Sequence, residues 1–145
     1  MQPITIIILI GLAGGMAVGL QGPLASAITQ KLGVMESVFI VHFGGALAAL
    51  LPLLFAGGGK LGEWRSLPWY ALFTGVLGLV VLSAVSYRIP RIGVAGAVTT
   101  LVAGQLLVST ALDHFGWLGA AERALDPARI LGLTGVLVGV WLTVK

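Results

Sequence analysis

Cysteine is absent from all 145 residues, and charge is scarce, with eight Lys and Arg and five Asp and Glu making 9% of the chain. The first absence excludes a disulfide framework, a thiolate metal site and a thiol nucleophile. The second excludes an ordinary soluble surface, where about 25% of residues carry charge. The few cations are scattered over connections, so they form no nucleic-acid patch. His42 and His114 belong to different segments, and no His/Asp cluster has metal-ligand spacing. No nucleophile elbow or phosphate loop is present either, and Gly57-Gly58-Gly59-Lys60 lacks P-loop spacing and reads as a turn. The sequence therefore calls for no cofactor, no metal and no enzymatic chemistry.

What is abundant is apolar: 58% hydrophobic residues and a mean hydropathy of +1.08. The chain reads as an all-α integral membrane protein. Five apolar segments, at about 3–29, 37–55, 67–87, 92–112 and 128–144, each approach or exceed the roughly 20 residues that cross hydrocarbon. They form a single transmembrane domain over 1–145. The connections carry turn chemistry. Pro90 in "RIPR" disfavours helix at Ile89 and divides segments three and four by a tight turn, while Asp126-Pro127 reads as an N-cap followed by a first-turn proline. Trp64, Trp69, Trp117 and Trp141 fall near segment ends, as interfacial aromatics do. Ala25-Ser26-Ala27 offers a signal-peptidase pattern, but the preceding apolar run is too long for a signal sequence and lacks a basic start, so an uncleaved first span is expected.

Cations set membrane orientation, and here they balance. With the N-terminus, the 2–3 loop and the 4–5 loop on one side, that side holds Lys60, Arg65, Arg123 and Arg129; the other holds Lys31, Arg88, Arg91 and Lys145. A chain without bias can insert both ways up, and two opposite copies can pair as an antiparallel homodimer in surrounding lipid. Orientation fixed by loop contacts or by a partner chain is the alternative.

Polar residues inside the spans are the candidate site. Gln105, Ser109 and Asp113 recur every four residues and share one helix face, with Gly96, Thr100 and Ala103 roughly opposite. They either line a cavity for substrate or hydrogen-bond to neighbouring helices; Asp113, and His114 beside it, lie at the membrane edge. Gly11, Gly15 and Gly19 form a close-packing stripe on segment one. Gln21 follows, and Gly22-Pro23 should kink or break the helix, freeing the Gly19 carbonyl beside the amide. His42 is the ionisable residue deepest in a span, either a proton relay or a neutral imidazole bonded within the bundle. No Asp or Glu lies equally deep, which disfavours a simple cation as cargo.

The stretches "GLQGPLASAITQKLG", "SLPWYALFTGVLGLVVLSA" and above all "AGQLLVSTALDHFGWLG" resemble the small bacterial YdcZ-type family of the drug/metabolite transporter superfamily. The resemblance runs over essentially the whole chain. It implies a five-helix half-transporter of the bacterial inner membrane, two oppositely oriented halves forming one pathway. The family pattern carries onto Gln21, Gln105, Ser109 and Asp113. It departs at Gly22-Pro23-Leu24, where the family often has an Asn and this chain has none. The expected function is transport of a small polar or amphiphilic metabolite or drug by alternating access. A non-transporting membrane subunit that stabilises or regulates a partner protein is the alternative.

Overall fold

The computed structural model describes residues 4–145; the first segment's expected start at Pro3 lies outside the described residues. Helix α1 covers Ile4–Leu32 and α2 covers Val34–Phe55. The connection between them is a single residue. Gly33 has φ 117°, a conformation that favours glycine, and its N–H donates to the Thr29 carbonyl at 2.9 Å. The polar residues of "QKLGVME" are therefore helical, not loop: Lys31 sits in the last turn of α1 and Glu36 in the first turn of α2, each at the end its charge favours.

α1 also continues through Pro23, so the expected break is absent. Proline removes one hydrogen bond, the one its N–H would have given to Gly19. The links on either side hold the helix, as is tolerated in membrane spans.

After α2 the chain turns on three left-handed glycines, Gly57, Gly58 and Gly59, and passes through two 3-10 turns, Leu61–Ser66 and Trp69–Phe73. Pro68, extended at ψ 137°, separates them, so the third span becomes α-helical only at Thr74 and not at Leu67. Trp69 meets Tyr70 and Phe73 edge-on at 6.2 and 5.9 Å, an aromatic cluster suited to the headgroup level.

Helix α3, Thr74–Phe115, runs for 42 residues. At 1.5 Å per residue it would be about 63 Å long if straight, twice the roughly 30 Å of hydrocarbon. It is divided at Gly93, whose φ of 73° and ψ of 172° leave the helical region. The expected turn at Ile89-Pro90 is displaced by three residues. Proline's own φ suits a helix, whereas the conformation that interrupts one falls on the residue without a Cβ. Helix α4, Pro127–Val144, is the shortest at 18 residues and begins as the sequence suggests: the Asp126 carboxylate accepts from the Arg129 N–H at 2.7 Å.

The chain forms two compact units, residues 1–87 and 88–145. In the first, Ala25, Val38 and Leu82 make the core, flanked by Val34, Val41 and Leu79. The buried residues of α1 and α2, namely Gly22, Ala25, Ser26, Ser37 and Val38, cluster around the Gly33 turn. In the second unit the buried positions of α3 are small, Gly96, Ala97 and Ala103.

Candidate functional site

In the first unit the α1–α2 hairpin is tied by the Ser37 hydroxyl, which donates to the Ala25 carbonyl at 2.9 Å. One and a half turns further along α2 stands His42. Its Nδ1 lies 2.8 Å from the Val38 carbonyl. A carbonyl only accepts, so Nδ1 carries the proton and Nε2 is left as the acceptor. Nε2 points at Gly78 of α3, where a Cβ would sit 2.6 Å away. Gly78 is thus what lets the imidazole reach α3. Val38 packs with Leu82 while His42 meets Gly78, so four residues forward on α2 match four back on α3 and the two helices run antiparallel.

Gln21 lies exposed on α1 beside buried Gly22, and its amide makes no hydrogen bond among the described residues. Among the described residues nothing packs against Gly11, Gly15 or Gly19. A Cβ at any of them would touch nothing within 4 Å. The hairpin closes on itself near Gly33, and these glycines lie away from that end.

In the second unit, Gln105 and Ser109 are exposed while Ala103 and Gly96 on the other side of the helix are buried. Ser109 and Asp113 line a groove of about 410 Å³ between α3 and α4, together with Arg129, Gly132 and Leu133. Asp113 is engaged there: its carboxylate pairs with Arg129 at 3.4 Å, and its carbonyl accepts from the Arg123 N–H at 2.7 Å. Arg129 in turn donates to the Arg123 carbonyl at 3.3 Å. These contacts fasten the 116–126 connection to both helices. His114 turns its ring edge to Phe115 at 4.9 Å, and its Nδ1 is buried without a hydrogen-bond partner.

The sequence did not mark Thr29, Ser83 and Ser86, whose hydroxyls are buried and unbonded, Ser86 being only 3% exposed. Thr99, Thr100, Thr134 and Thr143 all bond back to carbonyls of their own helix, and Thr74 to the Ala71 carbonyl of the preceding 3-10 turn. The spacing of Ser83 and Ser86 beside Leu82 was the available signal. Among the described residues no group of three His, Cys, Asp or Glu could hold a metal ion. Amides, hydroxyls and the His42 imidazole are among the polar groups set into the helices, a set able to hydrogen-bond a polar solute.

Four helical stretches are long and apolar enough to cross a membrane, the third long enough for two crossings. Residues 6–142 match the DMT_YdcZ family model, described as "Putative inner membrane exporter, YdcZ". The chain is 29% identical to the inner membrane protein YdcZ of Escherichia coli (strain K12) over 99% of its length and 97% of that protein's. No solved structure matches it. A multi-span helical chain with polar groups set into its spans, matched to the family over nearly its full length, is an inner-membrane protein and belongs to the DMT_YdcZ exporter family.

Proposed function

We propose that the chain is one half of an exporter for a small polar or amphiphilic compound, its five spans forming one transmembrane domain that works as a dual-topology, antiparallel homodimer by alternating access. It carries its cargo without altering it chemically. The observation that bears the reading is the pair of exposed span amides, Gln21 and Gln105, without hydrogen-bond partners among the described residues. An amide facing hydrocarbon costs several kcal/mol by the same reasoning that forbids unpaired backbone there, about 2–7 kcal/mol on transfer scales. Such groups call for a water-filled pathway, a cargo or a second subunit.

Two further features agree. The apolar faces of α1 away from Gly33 and the glycines at 11, 15 and 19 are left uncovered, which suits a second helix surface. The cations divide evenly between the two sides, which suits insertion in both orientations. With no free carboxylate deep in a span, a neutral, zwitterionic or anionic cargo fits better than a simple cation. Gln21, Gln105, Ser109 and His42 are the proposed cargo-facing residues.

The natural absence of cysteine makes the test direct. Gly58→Cys in the 2–3 turn is labelled in intact cells with a membrane-impermeant thiol reagent, then again after permeabilisation. Labelling of about half the protein from outside is expected for dual insertion. All-or-none labelling removes the antiparallel homodimer and points to an oppositely oriented partner chain.

A further inference from the structure

Two stretches of the first unit match. Residues 26–29 read Ser-Ala-Ile-Thr on α1 and residues 83–86 read Ser-Ala-Val-Ser on α3, each directly after a core residue, Ala25 or Leu82. The helices that carry them run the same way. α2 is antiparallel to α1 through the Gly33 turn, and antiparallel to α3 through the Val38–Leu82 and His42–Gly78 contacts. Ala25, Val38 and Leu82 make one core layer, and Val34 packs against it. Four residues along each helix towards the Gly33 end, about 6 Å at 1.5 Å per residue, stand Thr29, Val34 and Ser86. The repeat therefore sets Thr29 and Ser86 at one level, with Ser83 one turn before Ser86 on the same helix.

Span hydroxyls elsewhere in the chain bond back to their own helix, as those of Thr99, Thr100, Thr134 and Thr143 do. In this layer they do not. The hydroxyl oxygens of Thr29, Ser83 and Ser86 are buried and bond to nothing among the described residues, and Ser86 is only 3% exposed. For Thr29 the reason is visible. Its acceptor one turn back is the Ala25 carbonyl, which already serves the α1 ladder and the Ser37 hydroxyl, so both lone pairs are taken. A buried hydroxyl without a partner gives up its hydration for nothing, and three in one place call for a ligand.

We propose that Thr29, Ser83 and Ser86 form a cradle between α1 and α3 for an uncharged hydroxyl, that of a water molecule or of a small alcohol-like solute. Each protein hydroxyl can donate and accept, so a ligand that does both completes all three, and a water with three partners is a common way such groups are met. The cradle carries no formal charge to balance an ion. Lys31 and Glu36 occupy exposed positions, and Arg88 has a partner of its own. Bound there, the ligand ties α1 to α3 as the Ser37 hydroxyl ties α1 to α2. The cradle needs nothing from the transporter reading.

The test is a double-mutant cycle on T29V and S86A, read by equilibrium unfolding in mixed micelles free of polyols and again with ethylene glycol added. Hydroxyls that bind nothing are better removed, so their loss would be neutral or stabilising. Hydroxyls sharing one ligand behave otherwise. Each single variant is expected to shift the equilibrium about fivefold towards the unfolded state, and the double variant no further than the larger single, because the first change already releases the ligand. Neutral or stabilised single variants overturn the proposal, and so do losses that simply add. General effects of the solute cancel in the cycle. Coupling without ethylene glycol identifies water as the occupant, and coupling that appears only with it identifies a carbon-borne hydroxyl. Absence of coupling under both conditions overturns the cradle. Ser83→Ala paired with T29V gives a second cycle with the same expectation, so the test survives if S86A fails to fold. Because unfolding is read without cargo, the outcome stands apart from whether the chain exports anything.

Discussion

The Ser37 hydroxyl donates to the Ala25 carbonyl across the hairpin, and Ser37 is 0% exposed. This bond fastens the first turn of α2 to α1 at the core position that Val38 and Leu82 complete. Ser37→Ala removes one buried hydrogen bond while leaving the Ala25 carbonyl its place in the α1 ladder. A loss of about 1 kcal/mol is expected, within the range measured for single hydrogen bonds in membrane proteins. Ser37→Leu should cost more, since no space surrounds the side chain. Thermal unfolding in detergent should rank parent, S37A and S37L in that order; equal melting temperatures for S37A and the parent would show that the bond contributes nothing net.

Gly33 and Gly93 are the two positions where backbone geometry in the spans depends on glycine, with φ of 117° and 73°. At Gly33 a Cβ would also strike the Glu36 carboxylate, though that flexible side chain can turn aside. Gly33→Ala and Gly93→Ala should each destabilise by about 1–3 kcal/mol, because positive φ combined with ψ near 170° is a region essentially reserved for glycine. Gly15→Ala offers the contrast. It sits in helix with nothing within 4 Å of its Cβ, and the chain's own fold should tolerate it or gain slightly from better helix propensity. A lowered melting temperature in G15A together with a weakened dimer by cross-linking would instead place this glycine against a second subunit.

These glycines also show where the sequence was legible. Hydropathy and length marked out the apolar spans, and Asp126-Pro127 marked the start of α4, because capping is local chemistry. At Pro23 the break is absent, and at Pro90 the turn is displaced. Pro23 and Pro90 each remove one hydrogen bond, but a helix held on both sides survives that loss. The interruption went instead to Gly93, and the composition of "RIPRIG" alone does not decide between the two residues. His42 stood out as an ionisable residue in a span. Its neighbour Gly78 did not, because that pairing comes from the antiparallel register of α2 and α3, which sequence spacing within one helix does not encode. The buried hydroxyls of Thr29, Ser83 and Ser86 were missed for the same reason.

Asp113 is engaged within the fold. Its partner Arg129 is 3.4 Å away, and the two side chains are 38% and 30% exposed. A part-exposed pair of this kind contributes at most about 1 kcal/mol. Asp113→Asn should therefore lower the melting temperature slightly and leave export near the parent level, and the combined D113N/R129Q change should cost little more than either alone. Abolished export by a D113N protein of parent-like stability would move Asp113 from the framework into the pathway.

Gln105 should behave in the opposite way. It is exposed on α3 with no partner among the described residues, so nothing in the fold of the chain depends on its amide. Gln105→Ala should leave melting temperature and dimer recovery unchanged and reduce export by at least tenfold, a loss of about 1.4 kcal/mol or more of interaction with the moving solute. Gln21→Ala should do the same from α1. Gln105→Glu separates the amide's roles, because it keeps the acceptor, loses the donor and adds charge. If the cargo accepts a hydrogen bond from the amide or is anionic, Q105E should fail as completely as Q105A. If it donates or is cationic, Q105E should retain or improve export. The comparison is best read in membrane vesicles against a panel of labelled neutral, zwitterionic, anionic and cationic solutes. Parent-level export of every solute by Q105A would remove this amide from the pathway.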